Sequence, residues 1–254
     1  MLNYVEYGKE NKYDDDIFFQ KYSQMSRSQQ GLAGAGEWET LRKLLPDFKD
    51  KRVLDLGCGY GWHCIYAMEH GASSVVGVDI SHKMLEVAKE KTHFPQVEYK
   101  CCAIEDVEFP EESFDVILSS LAFHYVADYE ILVKKIYRIL KSGGNLVFTV
   151  EHPVFTAYGT QDWYYNKKGE ILHFTVDNYY YEGKRTAVFL GEKVTKFHRT
   201  LTTYLNTLLS NGFIINHIVE PQPPENMMDI PGMQDEMRRP MMLIVSANKN
   251  CYTT

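Results

Sequence analysis

The stretch VLDLGCGYGWHCIYAMEHGASSVVGVDIS, Val53 to Ser81, constrains this chain more than any other. VLDL reads as a short apolar strand and GCGYG as a loop with three glycines. WHCIYAMEH reads as a helix, Gly71 as its stop, and SVVGVD as a β-branched strand ending in an acid. A strand, a glycine loop, a helix and a second parallel strand form a unit that wraps a nucleotide. Two kinds of nucleotide suit it, a nicotinamide dinucleotide and S-adenosylmethionine (SAM).

The alternation continues beyond this unit. Ser81 is placed to cap SHKMLEVAKEK, VEYKC and FDVILSS follow as strands, Asp128 is placed to cap DYEILVKKIYRIL, and SGG leads into a fifth strand, NLVFTV. Strands alternating with helices predict an α/β, Rossmann-like, mostly parallel sheet with helices on both faces. Ahead of it, Asp16 is expected to cap a short helix presenting Phe18, Tyr22 and Met25, and GEWETLRKLLPDF to run as a helix to Pro46. After it, residues 151–198 are rich in Tyr, Phe and Thr, with β-like runs ILHFTV and TAVFL between EGK and GEK turns. This predicts a small antiparallel β cap insert. His198 and Arg199 are expected to begin the helix RTLTTYLNTLLSNG, and FIINHIVE and MMLIVSA to add two strands. The predicted organisation is a helical arm or lid over 1–50, a nucleotide-binding core over 51–150, the aromatic-rich cap over 151–198, and completion of the sheet over 199–254.

Charge and cysteine usage narrow the partners. The net charge of −7 argues against a broad phosphate-binding surface, so no nucleic acid is expected and a small molecule is the default partner. No window is apolar enough to span a membrane, and the acidic start MLNYVEYGKENKYDDD has no apolar leader. Five cysteines without a CxxC pair read as reduced thiols of a cytoplasmic protein, and the histidines show no metal-ligand spacing, so no metal is expected. The oligomeric state cannot be read from such features.

Two residues bear on the choice of nucleotide. The third glycine of a dinucleotide fingerprint would stand where this chain has Trp62, too bulky for close packing of helix on strand. Asp55, at the end of the first strand, would repel a pyrophosphate but suits the ammonium and sulfonium of SAM. Asp79 suits the ribose hydroxyls of either nucleotide.

VLDLGCGYGWH, VVGVDIS, FDVILSSLAFHYV and GGNLVFTVEHP, in this order and spacing, resemble the motifs of class I SAM-dependent methyltransferases, in their small-molecule, ubiquinone-biosynthesis-like (type 11) branch. The resemblance spans about residues 51–150. FFQKYSQMSRSQQGLAGAGEW also resembles a bacterial subgroup of that family. The family implies a seven-stranded sheet with an antiparallel last strand, and SAM lying over the carboxyl ends of the strands. By position Gly57, Cys58, Gly59 and Gly61 would hold its methionine part, Asp79 its ribose, and Ile80 and Met84 its adenine. Ala103 stands where the family often has an acid for the adenine amino group, which leaves Ile104 to stack on the base and Glu105 to accept from it. Ser119, Ser120 and Leu121 would lie beneath the methyl group.

The remaining candidates each have two readings. Tyr22 and Arg27 in the arm would cover the cofactor and pair with its carboxylate, or serve as packing and surface residues. His124 and His152 are candidate general bases or wall residues. Tyr158, Trp163 and Tyr164 are candidate walls of an acceptor pocket, or the core of the cap. The fourth strand ends in SSLA, without the [DN]PP[YF] pattern of enzymes that methylate amino groups of nucleobases and glutamine. The expected activity is methyl transfer from SAM to a small-molecule acceptor by in-line displacement. A non-catalytic SAM-binding protein stays open, as does an NAD(P)-dependent oxidoreductase using Tyr164 and Lys168.

Overall fold

The computed structural model describes residue 9 and residues 11–251. Residues 1–8, 10 and 252–254 lie outside that description, so most of the acidic start read above as leaderless does too.

The strands are β1 (Arg52–Leu56), β2 (Ser74–Asp79), β3 (Val97–Cys101), β4 (Phe114–Ser120), β5 (Leu140–Glu151), β6 (Trp163–Tyr165), β7 (Ile171–Phe174), β8 (Gly183–Phe189), β9 (Glu192–His198), β10 (Phe213–Val219) and β11 (Met242–Lys249). The helices are α1 (Asp16–Ser23), α2 (Ser26–Gln29), α3 (Trp38–Leu41), α4 (Trp62–Glu69), α5 (His82–Lys91), α6 (Tyr129–Ile139), α7 (Pro153–Thr156), α8 (Leu201–Ser210) and α9 (Met233–Glu236).

Seven strands form one sheet in the order β10-β11-β5-β4-β1-β2-β3. All pairs are parallel except those of β11, which runs antiparallel to both β5 and β10. The chain winds outward from β1 to β3 and then returns to the other side of β1 as β4. The carboxyl ends of β1 and β4 therefore splay into the crevice where open α/β sheets bind ligands.

The two-residue period of the strands sorts their side chains to two cores. Leu54, Leu56, Ile117 and Phe148 pack with Ile136 of α6 and Leu208 of α8. Val53, Val75 and Val116 pack on the other face with Ala67 of α4, Leu85 of α5 and Trp38 of α3. Ser81 caps α5 through Met84 N, and Asp128 caps α6 through Ile131 N, as the sequence predicts.

Three local expectations are corrected. Asp15, not Asp16, caps α1, accepting from Ile17 N and Phe18 N. The helix expected from Gly36 to Pro46 is the single turn α3, because no side chain caps its start and the proline disfavours helical geometry at Leu45. His198 ends β9 rather than opening α8, which Thr200 caps through Thr203 N. The cap comprises two separate hairpins, β6–β7 and β8–β9.

Candidate active site

The glycine loop folds back on the end of β2, where Gly57 N and Cys58 N both donate to Val78 O, at 2.8 and 2.9 Å. Gly57 has φ +79, and a β-carbon there would lie 2.4 Å from Cβ of Ala122 in the segment after β4. Gly61, φ +75, faces Tyr99, whose Oη would lie 2.2 Å from an added β-carbon and is tied to Thr92 Oγ1 at 2.7 Å. The close packing that a dinucleotide fingerprint assigns to the position of Trp62 is thus performed one residue earlier.

Asp79 secures the other side of the loop. Its Oδ2 accepts from Gly59 N at 2.8 Å and its Oδ1 from Ser81 N at 2.9 Å, while burial raises its pKa. Each carboxylate oxygen keeps a further acceptor site, and Asp79 lines a cavity.

The N-terminal arm closes over this point. Asp14 accepts from Ser81 Oγ at 2.6 Å and from Lys83 N at 3.1 Å, and Asp16 pairs with Lys83. This anchors the arm to the first turn of α5, directly after Asp79, with Tyr13, Tyr22, Met25 and Arg27 on the cavity wall. Arg27 Nη2 donates to both carboxylate oxygens of Glu37 at 2.9 Å.

The cavity has a volume of about 450 Å³. At one end it is lined by Asp79, Ile80, Met84, Ala103, Ile104 and Glu105, and in the middle by Gly57, Gly59, Ser120, Leu121 and Ala122. At the other end it is lined by His124, Tyr125, Glu151, Phe189 and a group of methionines. A smaller cavity of about 80 Å³ lies beside the loop, against Arg27, Cys58 and Trp62. The buried Trp62 Nε1 has no hydrogen-bond partner there.

Comparison with known proteins matches this architecture. Residues 54–148 fit the family model described as a methyltransferase domain. A crystal structure from Listeria monocytogenes, assigned to the SAM-dependent methyltransferases, is 57% identical with a TM-score of 0.83, covering 87% of this chain and 99% of that one. A SAM-dependent methyltransferase from Mesorhizobium loti is 40% identical with a TM-score of 0.80, covering 86% and 100%. The chain belongs to the SAM-dependent methyltransferases. A ubiquinone biosynthesis O-methyltransferase of Coxiella burnetii is 35% identical over 112 residues, 43% of this chain and 47% of that one. The protein is an enzyme whose cofactor is SAM.

Several predicted site residues lie off the cavity of this methyltransferase. Ser119 is buried and donates from Oγ to Leu56 O at 2.7 Å, joining β4 to β1. His152 caps α7, accepting from Val154 N at 3.0 Å, with its Nε2 2.9 Å from Glu220 Oε1. Trp163 packs edge-on against Phe174 at 5.2 Å and over the guanidinium groups of Arg238 and Arg239. Tyr164 stacks on His173, half exposed, and Tyr158 is exposed. The β6–β7 hairpin therefore spends its aromatics on its own packing, and Met227, Met233, Met241 and Met242 line the cavity instead. Six of the ten methionines fall within residues 227–242, a density that could have marked this wall in the sequence.

Asp55 also lies behind the wall, 1% exposed, on the α4 face of β1. Its Oδ2 accepts from the Cys64 thiol at 3.5 Å, its Oδ1 has no partner, and burial pushes its pKa up to about 7. His124 is displaced the other way, burial lowering its pKa to about 4. Between pH 7 and 3.8 the folded protein holds a proton on Asp55 that the unfolded chain has released, so Asp55 adds stability as pH falls. Between pH 6.5 and 4 the unfolded chain takes up a proton that His124 refuses, so His124 removes stability on acidification. The two effects offset each other. Asp55→Asn removes the first of them, and its unfolding free energy should fall on acidification more steeply than that of the wild type, by about 1.4 kcal/mol per pH unit. Guanidinium melts across this range check it; parallel pH curves for the two proteins would contradict it.

Proposed function

We propose that this methyltransferase transfers the methyl group of SAM to a small molecule held at the methionine-walled end of the 450 Å³ cavity. The observation that carries the reading is the continuity of that cavity. It runs from the carboxylate at the end of β2, past the glycine loop, into a mainly apolar chamber roofed by the arm, Phe189 and residues 221–242. The resemblance to an enzyme named for ubiquinone biosynthesis supports a small acceptor.

The residues present fit the cofactor. Asp79 has acceptor capacity for two ribose hydroxyls, Ile80, Met84 and Ile104 offer apolar contact to an adenine, and Glu105 offers it an acceptor. Gly59 has nothing within 4 Å of the place a β-carbon would take, so backbone lines the cradle there. The unpartnered Trp62 Nε1 and the remaining donors of Arg27 suit a carboxylate. When bound, SAM supplies an electrophilic methyl on a sulfonium, a good leaving group. The protein's part is to align an acceptor in line with that bond and to limit the access of water, to which the anchored arm contributes by covering part of the cavity.

The test is transfer of isotope-labelled methyl from SAM into a cell extract separated by ultrafiltration into small and large solutes. Label is expected in the small-solute fraction. Label confined to protein or nucleic acid would refute the proposed acceptor class.

A further inference from the structure

Glu151 ends β5, three strands along the sheet from Asp79, which is about 14 Å at ordinary strand spacing. Gly57 and Ser120–Ala122 line the cavity between them. Glu151 Oε1 accepts from Lys196 Nζ at 2.5 Å and Oε2 from Gln161 Nε2 at 2.6 Å, while Lys196 Nζ also donates to Gln161 Oε1 at 3.0 Å. Lys196 is only 2% exposed. An ion pair taken out of water contributes little to stability, because desolvation offsets the attraction. A pair of this kind on the wall of a mainly apolar cavity is better explained by a ligand.

The neighbouring groups specify that ligand. His124 Nδ1 accepts from Glu151 N at 3.4 Å, so the ring carries its proton on Nε2 and offers a donor. Each oxygen of Glu151 retains room for one more hydrogen bond. Lys196 compensates the carboxylate, and Arg199 adds a second buried cation, held by the carbonyl oxygens of Phe123, Val126, Ala127 and Phe197. Glu236, the other carboxylate at this end, is closed by Arg239 at 2.7 and 3.0 Å. The corner thus presents one donor beside one acceptor in a field that does not favour a further cation.

We propose that Glu151 receives the reacting group of the acceptor, and that this group is an uncharged hydroxyl on an otherwise apolar molecule. The hydroxyl oxygen accepts from His124 Nε2 and its hydrogen is donated to Glu151. Glu151 takes that proton as the oxygen bonds to the methyl carbon, while the bond from that carbon to the cofactor's sulfur breaks and its electron pair stays on sulfur. The carboxylate need not be a strong base, since an oxygen gaining a methyl group before losing its proton becomes strongly acidic. This inference rests on the cofactor and acceptor assignment made above.

The test is calorimetry on the full chain saturated with S-adenosylhomocysteine, using 4-propylphenol, 4-propylanisole and 4-propylbenzylamine as probes of one shape. The phenol is expected to bind at least about tenfold more tightly than the ether or the ammonium. Glu151→Gln should bring the phenol to the level of the ether and leave S-adenosylhomocysteine affinity unchanged. Should that variant fold poorly, the double variant Glu151→Gln with Lys196→Met removes the charge as a pair and should show the same loss. A phenol that binds no better than the amine, or not at all, overturns the proposal, as does a preference that survives Glu151→Gln. Failure of the wild type to take up S-adenosylhomocysteine would instead overturn the cofactor assignment.

Discussion

Asp79→Ala is expected to raise the Kd for SAM about a hundredfold, close to 3 kcal/mol, the worth of two hydrogen bonds to a charged acceptor. The structure makes the loss larger than a ribose contact alone implies. Alanine would also leave Gly59 N and Ser81 N without their acceptor, and those two bonds hold the glycine loop and the first turn of α5 in place. Asp79→Asn keeps the volume and one acceptor oxygen, so its affinity should fall between the two. Calorimetric titration of SAM gives the values, and a 2′-deoxyribose analogue separates the contributions. If the ribose bonds dominate, the analogue should lose much of its affinity for the wild type and little more for the variant. SAM binding that is unaltered in Asp79→Ala would show the acid to be misplaced.

Gly61→Ala should be strongly destabilising. The added carbon meets Tyr99 Oη at 2.2 Å, and the left-handed backbone resists any side chain. Left-handed strain of about 1–2 kcal/mol, together with overpacking of about 1–3 kcal/mol, predicts a loss near 3–4 kcal/mol. For a domain of this size that lowers Tm by about 6–16 °C. Tyr99→Phe removes the hydroxyl that the new carbon strikes, so combining the two should recover part of the loss although the double variant forfeits the bond to Thr92. Gly59→Ala is the control, since it also has positive φ but open space around it, and should cost only the backbone strain. Equal melting temperatures for the Gly59 and Gly61 variants would remove the packing argument.

The Asp79 end of the cavity was legible because its geometry is local. Gly57 and Gly59 lie within one strand–loop–helix unit, and Asp79 ends the next strand, so spacing along the chain is nearly spacing in space. Period-two and helical patterns likewise located the seven strands, and Ser81 and Asp128 located two helix starts. The Glu151 end was not legible in this way. Glu151, Gln161 and Lys196 are separated by ten and thirty-five residues, and their convergence depends on how the β8–β9 hairpin folds back over β5. Nothing in EHP or TKFH announces an ion pair. The crowded aromatics of the cap drew attention to Tyr158, Trp163 and Tyr164, yet aromatic content cannot say which face of a short hairpin is turned inward.

What the sequence by itself determined is the sheet, its crevice and the carboxylate at the end of β2, because hydrophobic period, capping chemistry and glycine backbone requirements act over a few residues. The tertiary structure alone decided that Asp55 is sealed behind the loop, that Asp14 anchors the arm to α5, and that methionines rather than tyrosines wall the far chamber. Those outcomes turn on desolvation and on contacts between segments far apart in the chain. Burial is a property of everything packed around a residue, so no local pattern encodes it.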